Sequence, residues 1–202
     1  MGAKYTSLDL TISELCVLYR RHGSHQGMLN FLRGQEMVSE KNGARGSLVY
    51  FTVTTDGTTG PRWVERLAHG GARVDAGAKR ALCSNEFRPT TGVTTEIVVL
   101  KGNLFKDEHR GIRYICGEAA SGSLRRPNAE IACLIREAFS DQDLADMGLF
   151  SIVVMHEPIY DPTRRPRLLG ASRDDGGHLL CTMLEDPNEA LPFGTGFAFV
   201  VS

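Results

Sequence analysis

The sequence predicts a mixed α/β fold in which all 202 residues form one domain, and three observations carry the prediction. Segments 47–54, 94–100 and 149–155 are rich in β-branched and aromatic residues, and stretches of helical periodicity separate them. After residue 156 the chain turns to prolines, a hairpin signal and a closing apolar run, which read as β structure. No linker, low-complexity tract or internal repeat divides the chain. The expected layout is a helical N-terminal segment at 11–33, an α/β body at 47–156 and a mostly β segment at 167–201. About six strands are expected in one mixed sheet. Parallel crossovers would occupy the first two-thirds, antiparallel strands the C-terminal part, with helices packed on the sheet.

Each element has its own local reason. Thr11 and Glu14 form a capping box, and Gly23 closes the helix they start. Ser24 caps a second short helix that ends near residue 33, and a polar loop follows from Gly34 to Gly46. The first strand runs into the turn Thr55–Pro61, and Pro61 opens a helix carrying Trp63, Val64 and Leu67. Asp75 caps the next helix, with Ala78 and Leu82 on its apolar side. Asp107 is the expected cap of a helix with Ile112, Ile115 and Cys116, closed by Gly122. Ile131, Leu134, Ile135 and Ala138 follow the helical i, i+3, i+4, i+7 spacing. Ser140 and Asp143 cap one further turn. The apolar run Leu149–Met155 reads as a central strand covered on both faces. Pro158, Pro162 and Pro166 keep the following segment extended, and an Asp-Gly tip joins 168–172 to 178–184.

Composition narrows the function classes. Lys plus Arg total 23 against 24 Asp plus Glu, a net charge of −1, and 42% of residues are hydrophobic. Without a dense cationic surface, broad binding to nucleic acid is not expected. No stretch has the apolar length of a membrane helix, so no membrane association and a cytoplasmic location are expected. The start, Met1-Gly2-Ala3-Lys4-Tyr5-Thr6, fits a loose myristoylation pattern that arises easily by chance. Cys16, Cys83, Cys116, Cys133 and Cys181 are odd in number and scattered, which suits free thiols rather than a disulfide framework.

The common catalytic spellings are absent: no Walker A run, G-x-G-x-x-G, H-E-x-x-H or G-x-S-x-G occurs. A candidate site follows from topology instead. If the first three strands are parallel neighbours, their carboxyl ends share one edge, where open α/β sheets bind ligands. Those ends supply Thr55, Asp56, Thr58 and Thr59, then Lys101 and Asn103, then His156, Glu157 and Asp161. His156 would be the general acid/base, with Asp56 and Glu157 orienting it or holding a divalent metal. Thr58, Thr59, Lys101 and Asn103 would hold an anion. The bland alternatives are an ordinary βα turn, a histidine satisfied by a carbonyl, a glutamate paired with a nearby arginine, and a snorkelling lysine.

The function expected from this site is a small enzyme, a hydrolase or group transferase, acting on a polar or anionic small molecule. The alternative is a non-enzymatic interaction module. It would bind a protein partner, a second copy of the chain, or nucleic acid through Arg125, Arg126, Arg164, Arg165 and Arg167 and the C-terminal β edge.

Overall fold

A computed structural model of the chain describes residues 6–8, 48–184, 186 and 190–201. The two expected N-terminal helices, the loop at 34–46 and Cys16 lie outside the described residues. The strands are β1 (Thr6–Leu8), β2 (Leu48–Asp56), β3 (Arg73–Val74), β4 (Thr91–Lys101), β5 (Leu124–Arg125), β6 (Ser151–Val154), β7 (Ile159–Tyr160), β8 (Pro166–Asp174), β9 (Gly177–Leu184) and β10 (Thr195–Val201). The helices are α1 (Gly60–His69), α2 (Ala76–Leu82), α3 (Ile112–Ser121), α4 (Ile131–Ala138) and α5 (Asp141–Asp146). All ten strands join one mixed sheet in the order β1-β2-β4-β10-β6-β8-β9-β3, with β5 beside β10 and β7 beside β8.

Helices plus a mixed sheet agree with the expected class, but the expectation of six strands is corrected to ten among the described residues. Three of them are only two residues long, too short for a hydrophobic period to announce them. The expected parallel crossovers are also corrected: β2 and β4 are antiparallel, with Asp56 opposite Thr91. The chain leaves β2 at one edge and, after α1, β3 and α2, re-enters at that same edge. A parallel neighbour requires return to the opposite edge. The C-terminal β10, expected as an antiparallel addition, inserts at the centre, antiparallel to β4 and parallel to β6.

Side-chain alternation divides the core between the two faces of this sheet. Val49, Phe51, Ile97, Val99, Ile152 and Val154 share one cluster with residues of α1, α2, α4 and α5, including Trp63 and Ile135. Tyr50, Val98, Leu100, Val153 and Phe197 share the other with Ile112, Ile115 and Ala119 of α3. All four residues of β6 are buried, in keeping with a central strand covered on both faces.

The caps set the helix ends. Asp75 accepts from Ala78 N at the start of α2, and Ser140 with Asp143 forms a reciprocal capping box at α5. Asp107 does not cap α3. It opens a separate 3₁₀ turn, and Gly111 is the N-cap, because the apolar stripe that fixes the helix begins only at Ile112. Asp175 and Gly176 form the two-residue tip between β8 and β9, as the Asp-Gly signal implies.

Candidate functional site

Strand direction disperses the three expected strand-end groups. β2, β10 and β6 run one way and β4 the other, so Asp56 and His156 face one edge while Lys101 and Asn103 stand at the opposite one. Thr91 pairs with Asp56, and Lys101 lies ten residues further along β4, roughly 30 Å away at the rise of an extended strand. Asp56 and His156 are three strand spacings apart in the sheet order, about 14 Å measured across it. The groups that do meet are local: Asp56 with Thr58, Lys101 with Asn103 in one turn, and His156 with Glu157.

At the end of β2, Asp56 accepts from Thr58 N at 3.0 Å and Thr58 Oγ1 at 2.5 Å, and pairs with Arg66 of α1. Arg66 also forms a fork with Glu137 of α4, at 2.5 and 2.6 Å, and lies over the Trp63 ring at 4.5 Å. The hydrogen bond from the Thr58 hydroxyl, followed by that from Arg66, lowers the Asp56 pKa to about 2. Asp56 is therefore a carboxylate at neutral pH that clasps a βα turn to two helices. The Thr58 donors expected to hold an anion already serve this carboxylate, and Thr59 is the α1 N-cap without a side-chain bond.

His156 is 1% exposed. Its Nε2 accepts from Leu169 N at 2.9 Å, which places the proton on Nδ1, 2.6 Å from the Glu157 carbonyl to which it donates. Burial lowers its pKa from 6.5 to about 4, so the ring is neutral and both nitrogens are engaged by backbone. Glu157 is exposed and lies 3.6 Å from Arg126, which donates to the His156 carbonyl at 2.7 Å. This arrangement ties β5, the end of β6 and β8 together.

Lys101 is 4% exposed, and its Nζ has no hydrogen-bond partner among the described residues. Burial lowers its pKa below the usual 10.5. Asn103 is exposed in the following 3₁₀ turn. Of the arginines expected to contact nucleic acid, Arg126 and Arg167 are engaged by Glu157 and Asp161, while Arg125, Arg164 and Arg165 are exposed. Among the described residues no three His, Cys, Asp or Glu side chains gather as a metal site, no helix is long and apolar enough to cross a membrane, and the four described cysteines are free thiols.

Two features escaped the sequence reading. Glu130, 1% exposed at the start of α4, accepts from Thr90 N at 3.0 and 3.1 Å, from Thr90 Oγ1 at 2.5 Å and from Asn128 Nδ2 at 3.1 Å. Burial raises its pKa above 4.5, against the pull of the Thr90 bonds. A lone glutamate before an apolar helix gave no signal for it.

The second is a cavity of about 560 Å³ between α2 and the β7–β8 turn, walled by Arg80, Cys83, Tyr160, Asp161, Arg167 and Thr182 among others. Gly77 lets α2 settle on β9, since a Cβ there would stand 2.1 Å from Thr182 Oγ1. Asp161 builds the opposite wall: it accepts from Thr163 N at 2.8 Å, Thr163 Oγ1 at 2.6 Å and Arg165 N at 3.0 Å, and holds Arg167 at 2.9 Å. These bonds, the Thr163 hydroxyl first, keep the Asp161 carboxyl well below the usual carboxylate range. The Asp161-Pro162-Thr163 spelling is an Asx-turn signal that could have marked this wall.

Arg80, on α2, has no hydrogen-bond or ion-pair partner among the described residues and is exposed at the cavity. A wider groove of about 620 Å³ beside α1 and β3 is chemically poorer. There Arg73 pairs with Asp174, and Asp75 is engaged by Ala78 N and Thr182 N. The chain matches no protein-family model, no curated protein and no solved structure.

Proposed function

We propose that this chain binds a small anionic molecule in the cavity between α2 and the β7–β8 turn. The observation that carries the proposal is Arg80, a guanidinium without a partner among the described residues, on the wall of a cavity whose other cation, Arg167, is held by Asp161. At about 560 Å³ the cavity falls in the range that encloses metabolite-sized ligands. Arginine presents a planar fork of donors that matches carboxylate and phosphate oxygens. His156, Glu157 and Asp56, the residues expected to perform hydrolysis or group transfer, do not line it, so the proposal is binding and names no reaction.

The test is thermal unfolding of the full chain with sodium phosphate, citrate or benzoate titrated at constant ionic strength, compared with Arg80→Ala. A ligand that binds only the folded state raises Tm with concentration. A saturable rise in the wild-type protein that is lost in the variant is expected with at least one anion. Equal responses in both proteins, or none in either, overturn the proposal.

A further inference from the structure

Resting on that reading of the cavity, we infer that its occupant is a singly charged aromatic carboxylate, with the carboxylate on Arg80 and the ring against Tyr160. Charge is the first argument. Of the side chains lining the cavity, Arg80 and Arg167 against Asp161 leave one net positive charge. Glu86, bonded to Tyr160 N just outside that lining, offsets it further, so a single carboxylate is the most negative charge the site can match. A phosphate dianion would carry a second charge towards Asp161 with no further cation on the wall to meet it.

Aromatic surface is the second argument. Tyr160 is 55% exposed, one of few large hydrophobic side chains in the described chain that reach solvent, and it stands on the cavity wall beside Pro162. A planar ring laid on Tyr160 buries apolar area on both partners and gains the offset-stacked or edge-to-face contact that an aliphatic ring of equal size lacks.

Preorganisation is the third argument. Tyr160 N donates to Glu86 Oε2 at 3.0 Å, and Tyr160 pairs with Pro166 of β8. Five donors from Thr163, Arg165 and Arg167 converge on Asp161 next to it. The backbone that carries the Tyr160 ring is thus held before a ligand arrives, which removes part of the ordering that binding otherwise requires.

The experiment is isothermal calorimetry of the full chain with benzoate, cyclohexanecarboxylate and inorganic phosphate. Arg80→Ala, Tyr160→Ala and Tyr160→Phe are compared, with circular dichroism confirming that each variant is folded. Benzoate is expected to bind several-fold more tightly than cyclohexanecarboxylate. Tyr160→Ala should erase that difference and Tyr160→Phe retain it, while Arg80→Ala weakens both carboxylates by roughly ten-fold or more. Equal affinity for the two carboxylates, or tighter binding of phosphate, with Arg80 still required, overturns the aromatic inference and leaves the anion site standing. No binding of any of the three, or binding indifferent to Arg80→Ala, removes the anion site itself.

Discussion

Replacing His156 with alanine strips a buried imidazole from the junction of β5, β6 and β8. The Leu169 N–H loses its acceptor and the Glu157 carbonyl its donor. An orphaned buried donor costs about 1–3 kcal/mol, and the lost ring volume adds about 2 kcal/mol, so about 3–5 kcal/mol of destabilisation is expected at pH 7.5. Acid gives an independent reading. The folded-state pKa of about 4 lies below the ordinary 6.5, so between those values the unfolded chain binds the extra proton. Stability is then complete above pH 6.5 and falls as pH drops, by about 1.4 kcal/mol per pH unit, to a total of about 3 kcal/mol near pH 4. Asp56, lowered from 3.8 to about 2, loses its contribution only below that window. Glu130, whose pKa is raised, works in the opposite sense, its contribution lost as pH rises from 4.5. Urea denaturation of both proteins across pH 7.5 to 4 separates the terms, because only the His156 slope differs between them. A variant within about 0.5 kcal/mol of the wild type, with the same acid slope, would refute a structural role. If such a variant also lost an activity, the acid/base role expected from the sequence would be favoured instead.

Three further perturbations probe other parts of the fold. Gly60→Ala would place a Cβ 1.7 Å from the Leu82 carbonyl oxygen, so α1 and α2 must separate; a loss of about 3 kcal/mol in urea denaturation is expected, and unchanged stability would contradict the described helix contact. Arg66→Ala removes a clasp whose three side chains are between 37% and 46% exposed; the expected loss is at most about 1 kcal/mol and shrinks in high salt, whereas a larger, salt-independent loss would mean that the network is not solvated. Asp161→Ala releases Thr163, Arg165 and Arg167 together, so tryptic cleavage after Arg164 should accelerate several-fold in the native protein. An unchanged cleavage rate would show that Asp161 does not hold the turn.

Local signals were the legible part of the fold. Asp75 and the Ser140–Asp143 box cap their helices, Gly122 closes α3 and Asp175-Gly176 forms the hairpin tip, each at its expected position. The burial of Trp63 and of the run Ile152–Val154 likewise follows from apolar pattern. Asp107 misled because an acidic residue ahead of an apolar stripe reads the same whether it caps the helix or opens the turn before it. The expected site failed to assemble for a different reason: it assumed the direction of β4, and reversing one strand sends Lys101 and Asn103 to the far edge.

Within the described residues, the sequence by itself determined which of the longer segments are strands and helices and which faces are apolar, because those properties depend on neighbours within a few residues. Tertiary structure alone decided strand direction and order, the central insertion of β10, the burial of Lys101 and Glu130, and the meeting of Arg80 with Tyr160 and Asp161 across one cavity. Those outcomes depend on how many times each connection crosses the sheet and on pairings between residues 80 or more apart, such as Asp75 with Thr182 at 107. Hydrophobic periodicity is indifferent to both, since a strand buries the same faces whichever way it runs.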